Sequence, residues 1–342
     1  MPVTRRKLLF LALGSSALGF SAFKAQRRDE SSEPTAANLV QISRTGWALG
    51  SSVSMTVAGL PRDNAERALD AAFAELETVE RVMSLYRPDS EICRLNRTGE
   101  LRDPHPYLVQ VLRHAEATSR RTAGAFDITV QPLWELYSST KKQGRMPSDD
   151  ELAAARAKIG WWGVESCWES VVRLHGKGMA ITLNGVAQGF AADRAVAALK
   201  QHGVEHALVN TGEIGTRGGK PSCEPWKVGI QHPREPESYV SLAGLADRSL
   251  STSGDYETTF AGDFSKHHIF DPRTGDSPPE LASVSIVAPT AVEADALSTA
   301  AMVLGAEKTL SLIARSPGVD ALLVTKYGRV IATEGFPALC ST

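Results

Sequence analysis

An α+β architecture is what this 342-residue sequence predicts, and three observations carry it. Helical and strand patterns succeed one another without the strict strand–helix–strand rhythm of a doubly wound parallel sheet. Two short β runs, Ala321–Thr325 and Arg329–Thr333, flank Lys326-Tyr327-Gly328 as a hairpin, which makes its strands antiparallel. A third run, Val284–Ala288, reads as a strand that passes through a short turn into a helix. With 42% hydrophobic and 22% charged residues the composition is that of a globular protein with a full core. No internal repeat interrupts it.

The N-terminus stands apart. Thr4-Arg5-Arg6-Lys7-Leu8-Leu9-Phe10 is a twin-arginine pattern ahead of an apolar, small-residue-rich stretch reaching Ala22. That stretch is short for a membrane span and has the charged-then-apolar order of a secretory signal. The expectation is export to the periplasm by the twin-arginine route, which carries pre-folded proteins. The signal is then either cleaved or kept as a membrane anchor. Residues 1–38 are set aside as signal and linker, and 39–342 are expected to form one functional domain.

Taken in order, the domain opens with a strand around Val53–Val57. A long helix starting at Asp63, with Asp63 and Glu66 as a capping box, follows. Leu69, Phe73, Leu76, Val79 and Met83 recur at helical spacing and define its core face. Pro88 forces the exit. A second helix covers Tyr107–Arg121 and is closed by Gly124; Pro147–Lys158 reads as a short third, and Trp161-Trp162 as local core. Met179–Leu183 reads as a strand, Asn184-Gly185 as a turn, Gly189–Lys200 as a helix stopped by Gly203, and His206–Asn210 as a strand. The helix after Val284–Ala288 starts with a second capping box, Thr290 and Glu293. Asp295, Ser298 and Thr299 fall at i, i+3 and i+4, so their oxygens share one face of it. A carboxylate and hydroxyls beside a helix N-terminus suit a hard cation bridging to phosphate.

Several functions are excluded. The 37 basic and 39 acidic residues leave a net charge of −2 and no field that argues for nucleic acid. Cys93, Cys167, Cys223 and Cys340 lie far apart without C-x-x-C, so no zinc ribbon is expected. Phosphate-loop, dinucleotide, zincin and serine-hydrolase signatures are absent.

What the chain does contain is five ordered segments. They are Met83-Ser-Leu-Tyr86 with Ser90-Glu91-Ile92; Thr122–Thr129; Leu183-Asn-Gly-Val-Ala-Gln-Gly-Phe-Ala-Ala-Asp-Arg194; Ser251–Tyr256 with His268–Gly275; and Val292–Gly305. Together they resemble the ApbE family, the FAD:protein FMN transferases, over roughly residues 45 to 335. The resemblance implies a fold of two packed α+β halves with mixed or antiparallel sheets. It also implies a reaction in which FMN passes from FAD to a Thr or Ser hydroxyl of an acceptor flavoprotein, with Mg²⁺, releasing AMP.

The same resemblance assigns roles. Asp295 and Thr299 become side-chain Mg²⁺ ligands, Gly185 adds a backbone carbonyl, and Ser298 stands beside them. Tyr86 matches an aromatic that covers a flavin or adenine ring. Ala125, Phe126 and Asp127 match an FAD-contacting turn, Ile269 turns its backbone to the cofactor, and Leu49 sits where Met-Gly-Thr is common. Thr182 and Gln188 replace charged residues of the usual pattern but keep hydrogen-bonding groups for adenine or ribose. Gly212-Glu213-Ile214 replaces Gly-Gly-Asp. His268 is the candidate base, a residue able to take a hydroxyl proton near neutral pH; His267, Asp295 and the metal are alternatives for that task. The acceptor is expected to be a membrane redox subunit with a periplasmic flavin domain. Two rival readings are an FAD pyrophosphatase, with water as acceptor, and a periplasmic flavin-binding maturation factor without turnover.

Overall fold

A computed structural model describes residues 39–167 and 170–339, so the expected signal lies outside the described residues. The chain opens with a hairpin, β1 (Leu39–Ala48) and β2 (Ser51–Pro61), and runs directly into α1 (Arg62–Met83). Then come α2 (Glu91–Thr98), β3 (Glu100–Arg102), α3 (Pro106–Arg121), α4 (Gln131–Lys142), α5 (Asp149–Arg156), β4 (Val164–Cys167) and β5 (Val171–Leu174). The later part holds α6 (Ala187–Gln201), β6 (His206–Asn210), β7 (Ile214–Arg217), β8 (Trp226–Gln231), β9 (Tyr239–Leu245) and β10 (Ser249–Gly254). It closes with β11 (Leu281–Ala288), α7 (Ala291–Leu304), α8 (Ala306–Ile313), β12 (Asp320–Thr325), β13 (Val330–Ala332) and β14 (Ala338–Leu339). The α+β expectation holds.

Eight strands form the central sheet in the order β1-β2-β6-β7-β10-β11-β12-β13, antiparallel throughout. Its middle is thin: β7 meets β10 at a single pair, Ile214 opposite Leu250. The sheet is thus two four-stranded halves joined at a seam. On the first half, alternate residues Val53, Met55 and Val57 of β2 turn into a core shared with α1 and α6, while Ser52, Ser54 and Thr56 face away. On the second half both faces are covered. In β12, Ala321 and Leu323 pack with α7, whereas Leu322 and Val324 pack with the small sheet β14-β9-β8. Every residue of β11 is buried for that reason.

Local readings were less accurate than the architecture. Pro61 occupies the N-cap position of α1 with no side-chain cap, so the expected Asp63–Glu66 box does not form. Glu66 pairs instead with Arg62, one turn back. Thr290 does cap α7 by accepting from the Glu293 amide, but the Glu293 carboxylate goes to Arg121, so that box is half made. Met179–Leu183 is extended yet joins no ladder. The Asn96 side chain bonds both Ile181 backbone groups, and the Thr182 amide donates to Ile128, taking the place of a neighbouring strand. Trp162 is 75% exposed and does not belong to a core, while Trp161 is half-buried beneath the Arg120 guanidinium. Cys93 and Cys223 are free thiols; Cys340 and the side chain of Cys167 lie outside what is described. Among the described residues no helix is long and apolar enough to cross a membrane.

Candidate active site

Where the two halves meet, a cleft of about 600 Å³ opens above the starts of α6 and α7. That volume lies in the range that encloses most of an organic ligand. Asp295, in the second turn of α7, is 3% exposed, and its Oδ2 accepts from the Gly189 amide at 2.9 Å. One turn on, Thr299 reaches the cleft wall. A Cβ on Gly185 would lie 2.8 Å from Thr299 Oγ1, so a side chain there would crowd the turn against the hydroxyl. Ser298 is fully buried behind this wall. Its Oγ bonds the Asp295 carbonyl at 2.9 Å and lies 3.2 and 2.8 Å from the Ser251 and Ser253 hydroxyls. Of the candidate site residues, all but Ser298 and the alternative base His267 line the cleft.

The start of α7 was expected to attract an external anion. The protein supplies its own. Asp193, on α6, accepts from the Ala291 and Val292 amides at 2.7 and 2.9 Å. Burial, the largest influence, pushes its carboxyl up to about 6 against the pull of those two bonds.

The remaining walls come from distant segments. Tyr86, 58% exposed, lines the cleft and is no core residue. Leu49 is buried at the β1–β2 turn with φ of 52°, a left-handed conformation that costs a branched side chain about 1–2 kcal/mol. Its strain sits at the cleft wall. Phe126, Ile128, Val130 and Trp134 make an apolar stretch, and Gln188, Asn210 and Glu213 a polar one. Asp127 accepts from the Thr129 amide and hydroxyl and from the Trp161 amide, which fixes its turn; burial raises its pKa. The Gln188 amide donates to Ser51 Oγ at 3.2 Å.

The two adjacent histidines separate clearly. His267 is fully inaccessible, and burial drives its pKa down to about 3, with the His268 charge adding to the effect. His268 is half-buried and lines the cleft, with Nδ1 3.3 Å from the Thr258 carbonyl. A carbonyl can only accept, so Nδ1 carries the proton and Nε2 is the basic nitrogen.

Sequence reasoning missed Ser253 and Trp134 as cleft residues, while Glu213, noted only as a departure from Gly-Gly-Asp, also lines it. For Ser253 the signal was present: Ser251 and Ser253 alternate along a strand and so share a face. Among the described residues no three His, Cys, Asp or Glu side chains converge on a metal position. The donors that do converge are all oxygen: one carboxylate, one hydroxyl and the close backbone of Gly185. That set fits a hard cation that keeps several of its waters and shares the rest with a phosphate.

A model of the ApbE family matches residues 49–323. The chain belongs to the ApbE family. Its relatives include a Klebsiella pneumoniae protein named FAD:protein FMN transferase, 31% identical over 303 residues and 85% of each chain. A Treponema pallidum protein of the same name is 32% identical over 298 residues, covering 80% of this chain and 82% of its own. The crystal structure of Pseudomonas stutzeri flavinyl transferase ApbE, apo form, superposes with a TM-score of 0.75 at 29% identity, over 86% of this chain and 95% of that one. Like these ApbE proteins the chain is an enzyme, a transferase.

Proposed function

We propose that this enzyme is an FAD:protein FMN transferase, Mg²⁺-dependent, which joins FMN through a phosphoester to a Thr or Ser hydroxyl of an acceptor flavoprotein. The observation that carries the reading is convergence. Residues from five separated segments, each expected to touch FAD, the cation or the acceptor, line one cleft at the seam. The names of the relatives supply the reaction class. We further propose that the protein is exported to the periplasm by its twin-arginine signal and that the acceptor is a membrane redox subunit with a periplasmic flavin domain. The N-terminal pattern supports this.

In this scheme the chain performs three tasks. Tyr86 and the apolar stretch at Phe126 and Trp134 bind planar rings by stacking and burial. Asp295, Thr299 and the Gly185 backbone would hold Mg²⁺, which when bound neutralises charge on the pyrophosphate oxygens. His268 Nε2 takes the proton of the acceptor hydroxyl as its oxygen bonds the FMN phosphorus. The bridging P–O bond then breaks and AMP leaves with that oxygen. Co-expression with an acceptor domain, followed by intact-mass spectrometry, tests the reading. A mass increase of one FMN on the acceptor is expected. Free FMN and AMP alone would point to the pyrophosphatase, and bound but unreacted FAD to a maturation factor.

A further inference from the structure

Two helices cross at the seam, and each carries a carboxylate that ends on the other. Gly189 and Asp193 lie at i and i+4 on α6; Ala291 and Asp295 lie at i and i+4 on α7. Asp193 accepts from the first two amides of α7, and Asp295 accepts from the Gly189 amide in the first turn of α6. Contact is closest in the middle, where a Cβ on Gly189 would lie 2.2 Å from the Ala291 carbonyl oxygen. We propose that Asp193 is a positioning residue of the transfer site, forming with Asp295 a reciprocal carboxylate clamp that fixes the two halves of the molecule relative to each other.

Three observations support this. The sheet itself does little to align the halves, since β7 and β10 share one residue pair. The Gly185 turn leads into α6, while Asp295 and Thr299 belong to α7, so the cation-binding atoms straddle the seam. Asp193 is not a cleft residue, so it acts only through the first turn of α7. A carboxylate suits the task because each of its oxygens accepts from one of two adjacent amides; an asparagine would offer one oxygen and set an N–H₂ against the other amide. The two bonds are charge-assisted and lie at the positive end of the helix dipole. Burial shifts the carboxyl upward against the pull of those bonds.

The cation arm of the test rests on the transferase reading; the exchange arm does not. Asp193→Asn is compared with Thr290→Ala, which removes a cap confined to α7. Three quantities are measured: amide hydrogen exchange at Gly189 and residues 291–295, thermal unfolding, and the Mg²⁺ concentration giving half-maximal FMN transfer. Asp193→Asn, which relieves a buried charge but leaves one α7 amide without its acceptor, is expected to shift thermal unfolding by no more than Thr290→Ala does. It should exchange the Gly189 and Ala291–Val292 amides at least tenfold faster and need roughly 10–100-fold more Mg²⁺, as supporting residues around a metal do. Thr290→Ala should lower thermal stability with an unchanged Mg²⁺ requirement. Wild-type exchange at Gly189 in Asp193→Asn, or equal effects of the two variants on exchange and Mg²⁺ requirement, would overturn the clamp. Asp193→Glu, which keeps the charge and adds a methylene, is the second variant; failure of both to fold would make Asp193 merely structural and also overturn it. If the wild type transfers no FMN, the transferase reading fails while the exchange data still decide the clamp.

Discussion

Asp295 serves two neighbours at once: its Oδ2 accepts from the Gly189 amide of the facing helix α6, and its side chain lines the cleft. As a helix-face carboxylate it reads as exposed and cheap to replace, but at 3% exposure with Gly189 donating to Oδ2 it is neither. Asp295→Ala leaves a buried amide unsatisfied, which costs about 1–3 kcal/mol. Asp295→Asn keeps an acceptor and is the cleaner probe: Mg²⁺-dependent turnover should disappear while unfolding shifts little. Unchanged Mg²⁺ dependence in that variant would remove Asp295 from the cation site. His268→Ala should slow transfer by about two to four orders of magnitude, the usual reach of general-base catalysis. FAD affinity by flavin fluorescence should be unchanged, since the imidazole serves the hydroxyl and not the cofactor. A wild-type rate would assign deprotonation to the Asp295 network. The residues of the cleft were legible because types such as Asp295, Thr299, Tyr86 and His268 carry their chemistry in the side chain. Asp193 was not, because an Asp inside a helix acquires its role only from the helix set against it.

At the level of elements, long periodic segments were read well and their ends less so. The α1 face at Leu69, Leu76, Val79 and Met83 is buried as the spacing required. Its start differs because β2 runs straight into it through Pro61, leaving no room for a capping turn. Met179–Leu183 has the composition of a strand, and a distant Asn96 decides that it pairs with no strand. A buried histidine on the loop carrying His268 sets how acid acts on that loop. His267 has its pKa lowered from an ordinary value near 6.5 to about 3, through burial first and the neighbouring His268 second. A base with a depressed folded-state pKa contributes stability above its unfolded value, and that contribution is lost as pH falls from about 6.5 toward 3. Asp193 has the opposite sign: its raised pKa of about 6 means stability present at low pH and lost as pH rises from about 4 through 6. His267→Gln should therefore move the acid-unfolding midpoint to lower pH, followed by circular dichroism. An unmoved midpoint would mean that other groups govern acid unfolding.

At the scale of the whole molecule, the antiparallel α+β plan was visible in hairpins and in the missing βαβ rhythm, whereas the strand order was not. Sequence patterns give strands and faces, but β2 pairs with β6 across some 150 residues, and only the packed helices decide that. The same long-range pairing predicts how far the chain can be shortened. β1 forms the edge of the sheet and pairs with β2 along its whole length, from Leu39 opposite Pro61 to Ala48 opposite Ser51. Its turn holds Leu49 in its left-handed conformation, and Thr45, Ser51 and Ser52 beside it line the cleft. Among the described residues, those lining the cleft run from Thr45 to Thr299. Removal of residues 1–38 should thus leave cooperative unfolding and FAD affinity at their full-length values. Removal of residues 1–48 strips β2 of its β1 partner and leaves it paired to β6 alone, takes Thr45 away and frees Leu49 to relax from the left-handed conformation it holds in the hairpin turn. FAD binding should then fall at least tenfold, and the exposed β2 edge should promote self-association. Titration with FAD and light scattering of the two truncated proteins check both arms. Equal FAD affinity in the two would show that the hairpin holds the sheet edge and contributes nothing to the cleft.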